Sequence, residues 1–254
     1  MTHQERMLNA IQGKPIDRLS WAPRLDLWHN ANRRAGTLPD RYRNATIRDI
    51  ADDRDWGYHA IVPQFKDLRG SDDDIHRALG VYNLWMLPCR TVFHNVEVTV
   101  ARQGDETTVE YRTPHGVIRT RTLHDESMRC AGITISHISE HAIKSHEDYR
   151  ALGFIFENAA VVPNYEGYEE FADYVGERGL AAGFLSLAGS PMHLVQRELM
   201  PMNLFFYELC DHPEELAGCV ESIGAYFRRL FDVAAASPAL IFLFGANYDA
   251  SVTY

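Results

Sequence analysis

Apolar positions fall at helical spacing in some stretches of the chain and at every second residue in others, and this switching predicts helices alternating with strands. Met7, Leu8 and Ile11 form a stripe behind a Thr2–Glu5 capping box, a helix that Gly13 and Pro15 end. Residues 19–23 then read as a short buried strand. Residues 46–56 read as a second helix, with Ile47 and Ile50 inward, leading to a strand at 58–62. Between 91 and 124 the period changes to two. Val96, Val98 and Val100 alternate with Glu97, Thr99 and Ala101, and Gly104–Asp105 and Pro114–His115–Gly116 mark turns. The spacing predicts an antiparallel meander inserted in an otherwise alternating chain.

Helical spacing returns after it. Ser145 and Asp148 predict a cap for a helix with Tyr149, Leu152, Ile155 and Ala159 on one face. A helix over 165–178, a strand over 180–187 and helices near 192–199 and 204–209 follow. Asp211 and Glu214 open a long helix carrying Leu216, Val220, Ile223, Phe227 and Leu230, and 239–244 is the last strand. Four strands separated by helical crossovers imply a parallel barrel or a doubly wound sheet. No G-x-G-x-x-G follows any of them, which disfavours dinucleotide binding.

Composition narrows the class without naming a chemistry. The 254 residues suffice for one large core, and no run approaches the roughly 20 apolar residues that cross a bilayer. The N-terminus lacks the apolar segment of a signal peptide, so the expected location is cytoplasmic, away from membranes. Cys89, Cys130, Cys210 and Cys219 form no CxxC pair and are expected to be reduced and mostly buried. A net charge of −10 argues against nucleic acid as a partner. The local basic clusters at Arg33–Arg34 and Arg41–Arg43 read most simply as solvated surface.

Two segments resemble the uroporphyrinogen decarboxylase-like superfamily: "RMLNAIQGKPIDRLSWAPR" at 6–24, and "GFLSLAGSPMHL" at 183–194 with "DHPEEL" after it. The resemblance implies a TIM (β/α)8 barrel over residues 1–254, of which only the first four strands are present, with the meander at about 91–124 as an insertion. It implies an active site at the carboxyl ends of the strands. Because "GANYDASVTY" stops soon after the fourth strand, the chain is expected to be a fragment of a longer barrel.

The same resemblance bears on activity. True decarboxylases of the superfamily hold a polycarboxylate with two arginines four residues apart; here the first position is Arg24 and the second is Trp28. A tyrosine position falls on Arg197, and the nearest counterpart of an expected aspartate is Asp67. The meander, with "YRTPHGVIRTR" in it, and "IKSHEDYRAL" resemble the methyltransferase-type branch instead. That branch implies methyl transfer between a corrinoid carried on a partner protein and a small acceptor, a thiol or tetrahydrofolate. Zinc serves the thiol-using members, bound in the barrel's second half, and a homodimer is a further implication. Uroporphyrinogen decarboxylation without a cofactor, and a non-enzymatic binding protein, are the alternatives.

The candidate site residues follow from these positions. Arg24 is an anion anchor, or else a structural ion pair with Asp26 or Asp17. Trp28 is a flat platform for substrate, or packing beneath a loop. Ser190 and His193 open the helix after the third strand, where amides bind anions, or they bond only to local backbone. Asn247, Tyr248 and Asp249 follow the fourth strand, with Asp249 the catalytic candidate and a turn-forming aspartate the alternative. His137 and His141, four apart, are a weaker candidate for zinc.

Overall fold

In the computed structural model, residues 1–66 and 75–245 are described. The chain opens with α1 (His3–Ile11), whose capping box is complete, since the Thr2 hydroxyl accepts from the Glu5 amide and the Glu5 carboxylate accepts from the Thr2 amide. α2 (Asp26–Ala35) ends on Gly36 in the left-handed region, and α3 (Ile47–Arg54) starts from a second capping box, Thr46–Asp49. β1 (Cys89–Phe93) precedes the meander of β2 (Glu97–Gln103), β3 (Glu106–Thr113) and β4 (Gly116–Leu123). α4 (Glu126–Cys130) and β5 (His137–Glu140) follow, and β5 adds a fourth strand in the order β2-β3-β4-β5.

The expected meander is therefore present, in antiparallel register throughout. Its alternation is best kept in β3, where Thr107, Val109 and Tyr111 turn inward. Val109 and Tyr111 share a core with α5 (Tyr149–Glu157). Ser145 and Asp148 do form the capping box, although on a 3-10 turn that leads into α5. Ala159 does not continue the helix. It opens β6 (Ala159–Pro163), which pairs antiparallel with β1.

α6 (Tyr165–Val175) and β7 (Gly183–Ser186) come next, and α7 (Pro191–Leu194) runs into a π-helical turn over Val195–Leu199. α8 (Met202–Asp211), α9 (Pro213–Ala235) and β8 (Phe242–Phe244) complete the described chain. Leu216, Ile223, Phe227 and Leu230 of α9 are buried at the predicted helical spacing. Most of them join Leu152, Ile155 and Phe156 of α5 and the meander's inner face in one core.

The barrel expectation is overturned. Among the described residues the strands form two small antiparallel sheets and one parallel pair, β7 with β8, and no closed or half-closed barrel. Residues 19–23 and 58–62 do run beside this pair, but through isolated bonds: Gly57 donates to the Trp21 carbonyl at 2.7 Å and Ala182 to that of Ala60 at 3.0 Å. The reason is burial. A parallel strand is covered on both faces, whereas Leu19 and Trp21 are 77% and 61% exposed. The short apolar run that looked like a core strand is surface chain.

No helix of the described residues is long and apolar enough to cross a membrane. Cys89 and Cys219 are buried, and burial pushes both thiols up to about 12. Cys130 and Cys210 are exposed, so half of the cysteines depart from the buried expectation.

Candidate functional site

α2 carries Asp26, His29, Asn30, Arg33 and Arg34, offsets of three, four, seven and eight that place them on one helix face. That face forms a wall of a cleft of about 970 Å³. Lys66, Trp85, Phe171 and Tyr174 line other parts of it, and Arg43 and Arg129 enter from flanking segments. Position on α2 is secured by Gly132, whose positive φ of 74° lets its backbone approach the helix at Leu27 and Ala31.

Among the described residues, five cationic side chains and one carboxylate line this cleft, in a chain whose net charge is −10. The pairing of those charges matters more than their number. Arg34 is held by Glu126 at 2.5 Å, Arg43 by Asp40 at 2.5 Å and Arg129 by Asp105 at 2.9 Å. Arg34, with smaller contributions from Cys130 and Arg129, brings the Glu126 carboxyl down to about 2. Arg33 has no ion-pair partner among the described residues, so its charge is available to a ligand. The one carboxylate, Asp26, is buried and already bound by Arg24 through Nε at 2.8 Å and Nη2 at 2.9 Å.

His59 is the second unspent group. Its Nε2 is buried and has no hydrogen-bond partner among the described residues, a costly arrangement without a ligand or water to complete it. Burial is the chief cause that lowers its pKa below the ordinary histidine value, the Asp26 charge opposes the shift and Arg24 adds to it. The ring is thus neutral at pH 7 and can accept a proton or a hydrogen bond. By contrast, Nε2 of His29 donates to the Ala45 carbonyl at 2.9 Å and that of His124 to the Ile133 carbonyl at 2.8 Å.

The lowered pKa has a stability consequence. Below the unfolded value of about 6.5 the unfolded chain takes up a proton that folded His59 resists, so stability falls as pH drops through that window. His59→Gln is expected to flatten the fall of the urea midpoint as pH drops below about 6.5. His193, also lowered chiefly by burial, accounts for part of the remaining slope. An unchanged slope refutes the assignment to His59.

The residues singled out from sequence scatter. Arg24 does not line the cleft, and its guanidinium pairs with Asp26 at 2.8 Å, the ion pair given as the alternative to an anion anchor. Trp28, two positions from Asp26, sits about 200° around α2 from the cleft face and is 40% exposed. Ser190 caps α7, accepting from the His193 amide at 3.0 Å, and His193 is buried with Nδ1 accepting from the Gly189 amide at 3.1 Å. Neither lines the cleft. Arg197 binds the neighbouring Glu198 at 3.0 Å. His137 lies on β5 and His141 bonds to the Glu198 carbonyl at 3.0 Å, and neither belongs to a cluster of three metal-ligating side chains among the described residues. Asn247, Tyr248, Asp249 and Asp67 lie outside the described residues.

Sequence reasoning missed the cleft wall. Its signal was a polar stripe at helical spacing, D-x-x-H-N-x-x-R-R, whose arginines alone look like solvated surface. His59 gave no signal beyond its residue type. Protein-family models, curated proteins and solved structures yield no significant match to this chain.

The zinc that the sequence resemblance implies does not fit the cleft. Among the described residues the only cluster of three metal-ligating side chains lies elsewhere, and two of the cleft's three imidazoles are turned to backbone carbonyls.

Proposed function

We propose that the cleft binds a small molecule bearing carboxylate or phosphate groups together with a flat apolar part, and that the reaction there is methyl transfer between a corrinoid protein and that molecule. The observation that supports the ligand class is the unpaired Arg33 charge on a wall whose one carboxylate is neutralised by Arg24. Trp85 and Phe171 offer aromatic surface for the apolar part. The reaction class rests on the sequence resemblance alone. Of the acceptors it implies, tetrahydrofolate has the carboxylates that this wall favours, and a simple thiol has none. In this reading Arg33 holds a carboxylate, and the proton that an amine acceptor gives up on methylation passes to solvent at the cleft mouth. The corrinoid is a co-substrate presented by its own protein at the cleft mouth, in the cytoplasm.

The test is calorimetric and spectroscopic. Tetrahydrofolate is expected to bind, and Arg33→Glu to weaken it about 10–100-fold, the loss of a charge-assisted contact. With methylcobalamin as donor, the methylcobalamin absorbance is expected to decay only when tetrahydrofolate is present. Binding without decay would remove methyl transfer and leave a binding protein. Loss of carboxyl groups from uroporphyrinogen in a parallel incubation would replace it with the lyase. Equal affinity in Arg33→Glu would overturn the site itself.

A further inference from the structure

Away from the cleft, three side chains converge that nothing above uses: His146 from the 3-10 turn before α5, Glu208 from the last turn of α8, and His212 from the link between α8 and α9. One donor atom from each lies within 4.8 Å of the others. The imidazoles stack, with centroids 3.9 Å apart and planes 23° from parallel. Neither ring has a hydrogen-bond or ion-pair partner among the described residues. Glu208 is 7% exposed and pairs with no cation among them; its one side-chain partner is the Tyr149 hydroxyl, which donates to Oε2 at 2.7 Å.

A buried carboxylate without a counter-charge is expensive. The two imidazoles beside it do not relieve this by forming ion pairs with it. A divalent cation would relieve all three groups at once. Metal–ligand distances near 2.0–2.2 Å for histidine nitrogen and carboxylate oxygen place bound donors about 3–4 Å apart, so small side-chain rotations close the site. Glu208 and His212 are four apart at a helix end, the spacing that puts two ligands on one face. Tyr149 plays the orienting part, holding Oε2 of Glu208 in place.

We propose that His146, Glu208 and His212 form a divalent-metal site of zinc type. Two borderline nitrogen donors and one oxygen suit Zn²⁺ and exclude Ca²⁺ and Mg²⁺, which take oxygen ligands. Water completes the fourth position on the side of exposed His146. The ion ties the start of α5 to the α8–α9 junction, and none of its ligands lines the cleft.

The experiment uses the full chain stripped of metal with a chelator and titrated with Zn²⁺ by calorimetry, alongside thermal melts and visible spectra with Co²⁺. The wild type is expected to bind one equivalent, to melt higher with zinc, and to show the absorption of tetrahedral Co²⁺. His146→Ala/His212→Ala is expected to lose that equivalent and the thermal gain. Tyr149→Phe is expected to keep the stoichiometry with affinity about tenfold weaker. Circular dichroism checks that both variants are folded, and the exposed or half-buried positions of the two histidines make them tolerant of truncation. A tight equivalent retained by the double variant, or no zinc bound by micromolar wild type, overturns the proposal.

Discussion

Glu198→Leu is expected to lower unfolding free energy by about 3–5 kcal/mol, read as a shift of the urea midpoint. Glu198 lies in the π-helical turn after α7 and is 2% exposed. Its Oε2 accepts from Arg77 Nη1 at 2.6 Å, and Arg77 is itself buried. Taking the carboxylate away removes the charge that meets Arg77 Nη1 in a poorly solvating interior, and also the partner of Arg197. The loss approaches the whole stability of many domains, about 5–15 kcal/mol. The pair itself need not be strongly stabilising, because desolvation offsets much of its attraction. Arg77→Met/Glu198→Leu is therefore expected to recover most of the loss. A single variant that loses less than about 1 kcal/mol would show that the interior tolerates loss of this contact.

The second large effect is at Gly132, where stability and function meet. A Cβ there would lie 2.2 Å from the Leu27 carbonyl oxygen and 2.9 Å from the Ala31 nitrogen, both α2 backbone atoms that cannot swing aside. The φ of 74° adds the cost of a left-handed conformation. Gly132→Ala is expected to cost about 2–5 kcal/mol, the sum of overpacking and backbone strain. Because α2 must shift, the variant should also bind tetrahydrofolate more weakly than the wild type. Gly36→Ala is the control. Its φ of 69° and ψ of 22° are left-handed helical, nothing lies within 4 Å of the added Cβ, and about 1–2 kcal/mol is expected. Equal losses at the two positions would mean that the contact with α2 is unimportant.

Much of the local structure was legible from sequence because local chemistry decides it. Capping boxes at Thr2 and at Ser145, the stripe on α9 and the alternation in β3 depend on neighbours a few residues away. The assembly of strands was not. Four apolar runs between helices satisfy the pattern of a parallel barrel, yet only two make a ladder, and solvent exposure of Leu19 and Trp21 is a tertiary fact that no local window contains. The switch from α5 to β6 after Asn158 was hidden likewise, because Ala159 fits a helical face and a strand equally well.

The sites illustrate the same limit. Arg24 met Asp26, two residues away and visible in sequence, whereas the charge left open on Arg33 depends on Glu126 engaging Arg34 from 92 residues further on. The two acceptor-free imidazoles beside Glu208 come together only because α5 and α9 pack against each other. Candidate residues chosen for their place in an expected barrel lost that basis when the barrel was not found.

The pairing of β1 with β6 sets the order in which the chain can assemble. Phe93 lies opposite Ala159, and the His94 amide donates to the Asn158 carbonyl at 2.9 Å, so residues 94–158 leave and return at a single neck. Closing such a long excursion from an open coil is entropically dear, but the meander consists of hairpins whose partners are close in sequence. Once those hairpins have collapsed, the neck has far less chain to gather. Assembly is then expected to run from the excursion inward, with β1 and β6 zipping late.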